Sequence, residues 1–203
     1  DAKQEYWYGH KADQPKIENV PGTNFPTSSD ADRWYNAATF PTAASNKAKD
    51  CPNINELFWY CKKGDPHWDN TTLWSVWGHL YTGGIWLKKA SVIAQKEGKT
   101  TTELKAASPD GQNRANKKVF ETPPSQAVTQ GTPSKLNDYF FLPAMGRYSG
   151  GKLTGFRTFG DYWTSTRYPY NSKVSYNLHF DNGTLTVSNT SDRENGYKLW
   201  KTE

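Results

Sequence analysis

Cys51 and Cys61 are the side chains of this sequence best suited to nucleophilic, redox or soft-metal chemistry. Two thiols can pair, bind a metal or stay reduced, but no clustered histidines stand near them to complete a zinc site. Cys51 directly precedes a segment with helix-start chemistry, and Cys61 falls among Phe58, Trp59 and Tyr60. A disulfide, or a buried thiol serving as a small hydrophobe, is the ordinary outcome there. His10, His67, His79 and His179 are spread without an HxxH or HExxH spacing, and no Ser, His and Asp set announces a nucleophile. Calcium asks for about six to eight oxygens, and no dense acidic loop offers them. These patterns nominate no catalytic residue, no metal ligand and no cofactor. They direct attention to contact chemistry, in which side chains recognise a partner without changing it.

The segment that must position such contacts is the last third of the chain. Tyr176, Leu178 and Phe180 alternate with Asn177 and His179; Asp181-Asn182-Gly183 supplies a turn able to take positive φ; and Leu185 and Val187 resume the alternation. A period of two puts one face on the core and leaves the other free. Trp163, Val174, Tyr176, Leu178, Phe180, Leu185, Val187 and Tyr197 then form the scaffold. The outward face and flanking loops carry Arg167, Tyr168, Tyr170, Asn171 and Lys173, followed by Asn177, His179, Asn189, Asp192 and Arg193. These ten are the candidate ligand-binding residues, because packing does not explain the mixture and partner contact does. His179 is the histidine that the strand pattern points away from the core.

Upstream, Asn53 with Glu56 three residues later reads as a capping box opening a helix whose apolar side is Leu57, Phe58 and Cys61 or Tyr60, stopped by Gly64-Asp65-Pro66. A short helix is expected over Ala43 to Lys49, and the aromatic block from Trp68 to Leu87 reads as core. Residues 94–136 lose apolar periodicity and read as a loop-rich insertion with a short strand near Lys118-Val119-Phe120, a length of connection that is usually functional or mobile. Gly196 to Trp200 is expected to close the domain as a strand. Hydrophobic residues form only 34% of the 203-residue chain while 15% is aromatic, with nine Trp and twelve Tyr against one Met, so the core must be assembled from rings. The net charge of +5 permits an acidic partner, but the basic middle of the chain carries no recognised nucleic-acid module and reads as a solvated face. No window approaches the roughly 18 apolar residues of a membrane span, and the polar opening Asp1-Ala2-Lys3-Gln4-Glu5 is unlike a signal sequence. The expectation is a soluble unit of one domain.

The features follow one another in a telling order: Cys51-Pro52-Asn53-Ile54-Asn55-Glu56-Leu57, Gly64-Asp65-Pro66-His67-Trp68-Asp69, Gly83-Gly84-Ile85-Trp86, Tyr139-Phe140-Phe141-Leu142-Pro143-Ala144, Tyr162-Trp163-Thr164-Ser165-Thr166 and Asn195-Gly196-Tyr197. This order resembles the C-type-lectin-like domains of bacterial surface proteins, including major-paralogous-domain proteins, C-terminal domains of fimbrial adhesins and the variable proteins of diversity-generating retroelements. The resemblance covers 34–203, with 1–33 as an N-terminal extension or linker packed on that domain, and it implies an α+β fold of small twisted antiparallel sheets, two short helices and long loops. It implies an extracellular or cell-surface domain of adhesin or receptor type, non-enzymatic, whose partner is a protein or glycan on another cell. It also implies that the display positions between Thr166 and Tyr197 are open to retroelement diversification. Formylglycine-generating relatives use a cysteine pair, which makes an oxidative enzyme built on Cys51 and Cys61 an alternative; the placement of both at a helix argues against it. Calcium-dependent sugar-binding relatives use a Glu-Pro-Asn or Gln-Pro-Asp loop and a Trp-Asn-Asp triplet, and neither occurs here; Trp68-Asp69-Asn70 has similar letters in another order, too early in the chain. A structural fimbrial subunit is the remaining alternative.

Overall fold

Asn53 and Glu56 form the capping box their spacing predicts. In the computed structural model of the chain the Asn53 side chain accepts from the Glu56 amide at 3.1 Å, and the Glu56 carboxylate accepts from the Asn53 amide at 2.7 Å. The structure describes residue 44 and residues 47–201, except 77, 120, 121, 150, 151 and 172. The expected extension at 1–33 lies outside them.

The capping box opens α1 (Ile54–Lys63), which ends where the Gly64 amide returns to the Tyr60 carbonyl. Residues Ile54 to Cys61 are buried without a break, so α1 is a core helix rather than a surface one. Two shorter helices follow, α2 (Ala90–Lys96) and α3 (Thr101–Ala106), the latter opened by a second capping box between Thr100 and Glu103. The described strands are β1 (His67–Asp69), β2 (Trp74–Val76), β3 (His79–Tyr81), β4 (Gly84–Lys88), β5 (Ser125–Ala127) and β6 (Thr129–Gln130), then β7 (Tyr139–Pro143), β8 (Arg147–Ser149), β9 (Lys152–Thr154), β10 (Phe159–Arg167), β11 (Val174–Asp181) and β12 (Thr184–Asp192). They make one sheet in the order β6-β1-β4-β7, a second in the order β10-β11-β12-β5, and two hairpins, β2-β3 and β8-β9. β6 runs parallel to β1; the other ladders are antiparallel. The class is α+β, with few short helices and several small sheets.

One cluster of rings and aliphatics joins α1 to both sheets, among them Tyr60, Trp68, Ile85, Leu142, Tyr162 and Phe180. Tyr162 stacks on Phe180 at 5.8 Å between centroids, and Tyr60 meets Trp200 at 5.6 Å. Gly160 gives the Phe180 ring its place: a Cβ there would collide with that ring.

Several expectations need correction. The stretch 94–136 holds α3, β5 and β6 rather than loops alone, and β5 extends the second sheet by pairing with β12. Lys118 and Val119 are not in a strand, and Phe120 lies outside the described residues. Of the helix expected over 43–49, residues 43, 45 and 46 lie outside the described residues, and the described part from residue 47 on is a 3-10 turn, Lys47–Asp50. The aromatic block is not all core, since Leu73 and Leu80 stand exposed beside and on the β2-β3 hairpin. Residues 196–200 form isolated bridges, Tyr148 to Gly196 and Tyr162 to Lys198, instead of a closing strand. The β11-β12 turn does not use positive φ at Gly183. The Asp181 carboxylate closes it, accepting from the amides of Gly183 and Thr184, each at 2.8 Å.

The first sheet is tied together at Asp69, whose side chain is 1% exposed. Its carboxylate accepts from the Thr71 amide and hydroxyl, both at 2.6 Å, from the Thr72 hydroxyl at 2.6 Å, and from Trp86 Nε1 and the Thr132 hydroxyl at 3.0 Å. Burial alone would raise its pKa; these donors outweigh burial and hold the carboxyl well below the usual carboxylate range. With the folded value under the ordinary 3.8, the stabilisation is present above that pH and is lost as pH falls toward the folded value. Asp69→Asn is expected to cost about 1–3 kcal/mol near neutrality, and the gap to wild type is expected to narrow in acid. Urea denaturation at neutral pH and at about pH 3 measures this; an equal gap at both would show that the charge is irrelevant.

Candidate functional site

Strand alternation in β10, β11 and β12 sorts the second sheet into two faces. Tyr162, Leu178, Phe180, Leu185 and Val187 are buried on the core side. Across the other face Asp161 pairs with His179, which pairs with Thr186; Trp163 pairs with Asn177, which pairs with Ser188. A carboxylate thus stands at the middle of a polar face.

Asp161 is 1% exposed and would be costly there without partners. It has them: Asn177 Nδ2 donates at 2.8 Å, His179 Nδ1 lies at 2.9 Å and Arg147 Nη1 donates at 3.4 Å. Asn177 Oδ1 in turn accepts from the Ser191 hydroxyl at 2.7 Å. With an amide and a guanidinium both donating, Asp161 is the acceptor, which assigns the His179 proton to Nδ1 and leaves Nε2 for solvent or a ligand. Arg147 arrives from the β8-β9 hairpin by a backbone route. Gly146, at φ +64, donates to the Phe159 carbonyl at 2.7 Å, and Tyr148 exchanges two backbone bonds with Gly196 at 2.8 and 2.7 Å. The Arg147 guanidinium then lies 5.5 Å from the centroid of Phe159. Tyr197 stacks on Trp163 at 4.2 Å, and burial with the nearby Asp161 charge pushes its phenol up.

Above this floor lies an open groove of about 520 Å³. Arg147, Asp161, His179 and Tyr197 form its base, and the hydroxyls of Thr186, Ser188, Thr190 and Ser191 form one wall. Ser149, Asp192 and Asn195 complete the lining. The arrangement offers fixed hydrogen-bond donors and acceptors to a polar ligand.

The structure sorts the ten sequence candidates into four groups. His179 and Asp192 line the groove. Tyr170, 48% exposed, and the exposed Asn171 and Lys173 stand on the β10-β11 connection, which is shaped by the Asn171 side chain accepting from the Lys173 amide at 2.9 Å. Asp192 pairs across from Val174, so the groove and this loop meet at one end of the sheet. Arg167, Asn177 and Arg193 are buried, contrary to their expected exposure. Asn177 does turn to the outer face, but beneath Ser191 and beside Asp161. The β10-β11 ladder slips between Trp163 and Arg167, so strict alternation no longer sets where Arg167 points. Arg193 sits in the turn after β12, its amide donating to the Lys173 carbonyl at 3.0 Å. Tyr168 is half-buried, its ring edge-on to Tyr176 at 5.5 Å, and Asn189 is half-buried outside the groove lining.

Asp161 and Arg147 were not among the candidates. Nothing in the local pattern joins them, since the backbone bonds of Gly146 to Phe159 and of Tyr148 to Gly196 decide the contact. Thr186 and Ser188 did carry a signal: they alternate with the inward Leu185 and Val187.

The cysteines stand apart from this face. Both are buried and neither is in a disulfide. Burial pushes the Cys51 thiol up to about 11 and the Cys61 thiol up to about 12, and Cys61 Sγ donates to the Leu185 carbonyl at 3.5 Å. Among the described residues no group of three or more His, Cys, Asp or Glu could hold a metal ion, and no helix is long and apolar enough to cross a membrane. Comparison with family models, curated proteins and solved structures finds no match to this chain.

Iodoacetamide at about pH 8 is expected to leave Cys51 and Cys61 unmodified in native protein and to label both in urea, as read by intact mass. Rapid labelling of the native protein at either thiol would favour the oxidative-enzyme alternative.

Proposed function

We propose that this chain is a ligand-binding domain of an extracellular or cell-surface protein, of adhesin or receptor type, on a C-type-lectin-like scaffold. The observation that carries the reading is the polar groove on the outer face of the second sheet, which meets the exposed Tyr170, Asn171 and Lys173 at the end of the sheet where Asp192 pairs with Val174. A core of rings holds the sheet from behind, so the contact groups are ordered before a partner arrives and little conformational freedom is lost on binding. Tyr170 supplies a large amphipathic contact, Asn171 and Lys173 supply adaptable polar ones, and none of the three lies in the core clusters. The separation of inward scaffold from outward loop also suits diversification of the loop positions by a retroelement. The partner in this reading is a protein or glycan on another cell. The function is recognition without covalent chemistry, in keeping with two thiols held protonated by burial.

The combined variant Tyr170→Ala, Asn171→Ala and Lys173→Ala is expected to weaken adhesion of the fluorescently labelled domain to cells by at least about tenfold, equivalent to about 1.4 kcal/mol. Its melting temperature is expected to stay near that of wild type. Flow cytometry over bacterial and epithelial cells, beside a thermal melt, measures both. Undiminished adhesion would remove the loop from the binding surface, and a collapse in stability would show that it is structural.

A further inference from the structure

We propose, resting on the binding-domain reading above, that the groove takes a neutral saccharide, held through its hydroxyls without a bridging metal ion. The argument begins with charge. Asp161 and Asp192 place two carboxylates in the lining against the one guanidinium of Arg147, and Arg147 is already engaged with Asp161. A carboxylated or phosphorylated ligand would set its own charge beside both. A cationic ligand would meet Arg147, whose side chain is 43% exposed. A ligand without net charge meets neither penalty.

The second step is the hydrogen-bond inventory. The described lining contains no Ala, Val, Leu, Ile or Met, and Tyr197, its one aromatic residue, is almost wholly buried, so an apolar ligand finds little to bury against. Ser191 spends its proton on Asn177, Thr186 shares a hydrogen bond with Ser125 and Ser188 shares one with Thr190, and because a hydroxyl donates once and accepts twice, the β12 wall still offers acceptor positions to the hydroxyls of a sugar. Arg147 supplies donors alone, Asp192 supplies acceptors alone, and the tautomer assigned to His179 leaves Nε2 an acceptor. A polyol can meet all three, because each of its hydroxyls can turn to suit.

The third step is preorganisation. The chain from Ser191 through Asn177 to Asp161 is buried, and Asp161 holds His179 at 2.9 Å and Arg147 at 3.4 Å. Their orientation is therefore established before any ligand arrives, which reduces the entropy lost on binding. The volume of about 520 Å³ falls within the range of small-ligand sites, about 300–1,000 Å³.

Saturation-transfer NMR on the full chain, in EDTA, against the methyl glycosides of glucose, galactose, mannose and N-acetylglucosamine, with glucuronate as the acidic probe, tests this. At least one neutral glycoside is expected to receive saturation and to do so more strongly than glucuronate. Ser188→Trp, which fills the groove from the strand wall, is expected to abolish the signal; Arg147→Ala, at a half-exposed side chain, is expected to weaken it severalfold with the fold intact by circular dichroism. Leu136→Ala, at an exposed position outside the groove lining, is expected to leave it unchanged. No transfer to any neutral glycoside, preference for glucuronate, binding that appears only when calcium replaces EDTA, or a signal that survives both groove variants would each overturn the proposal. If the sugars fail while cells are still bound through Tyr170, Asn171 and Lys173, the saccharide assignment alone falls. If sugars and cells both fail, the binding-domain reading falls with it.

Discussion

A helix buried on every side imposes its polar demands on whatever surrounds it, and α1 organises this protein in that way. Asn55 is wholly buried in its first turn, and an amide there must find partners or cost stability. Its Nδ2 donates to the Lys105 carbonyl at 3.0 Å and to Asn113 Oδ1 at 3.2 Å, while its Oδ1 accepts from the Ser108 hydroxyl at 3.0 Å and the Arg114 amide at 2.9 Å. Those contacts fix the backbone after α3. Arg114 then lies over Phe58 at 4.3 Å, with Asp110 receiving both of its terminal nitrogens at 2.7 and 2.6 Å. On the other flank the Thr166 hydroxyl accepts the Ile54 amide at 3.2 Å, and Thr164 donates to the Pro52 carbonyl at 2.7 Å. The start of α1 and the strand that carries the groove floor are thereby one rigid unit.

Two buried carboxylates do for the sheets what Asn55 does for the helix. Asp69 gathers hydroxyl, amide and indole donors into the first sheet and gives it a closed, fully engaged polar centre. Asp161 gathers nitrogen donors, two of which, Arg147 and His179, also face an open groove. The physical difference lies in what else the donors can do. The hydroxyls and indole around Asp69 spend their one proton in holding it, whereas a guanidinium and an imidazole have further nitrogens to offer. A structural centre and a candidate binding centre follow from the same requirement that a buried charge be paired.

The display surface that results is narrower than the alternation of β11 and β12 suggests. Ladder irregularities at Trp163/Arg167 and Ser175/Asn177 redirect side chains that a strict period would leave outside. The C-terminal segment covers more of the face by stacking Tyr197 on Trp163. What remains open is a loop at one end and a groove beside it, both supported by aromatic packing.

The amino-acid sequence alone determined the local features: the capping box and stop of α1, the inward positions Tyr176, Leu178, Phe180, Leu185 and Val187, the ring-built core, and the exposure of Tyr170, Asn171 and Lys173. Each depends on residues within a few positions of one another, where spacing and chemistry suffice. The capping box of α3 was equally local, with Thr100 and Glu103 at the right interval, and was obscured by the polar composition around it. Tertiary structure decided the burial of Arg167, Asn177 and Arg193, the seating of β5 beside β12, and the meeting of Arg147, Asp161 and His179. Those depend on ladder register and on side chains brought together across loops, and a buried carboxylate selects its partners by distance in space, which no periodicity along the chain encodes.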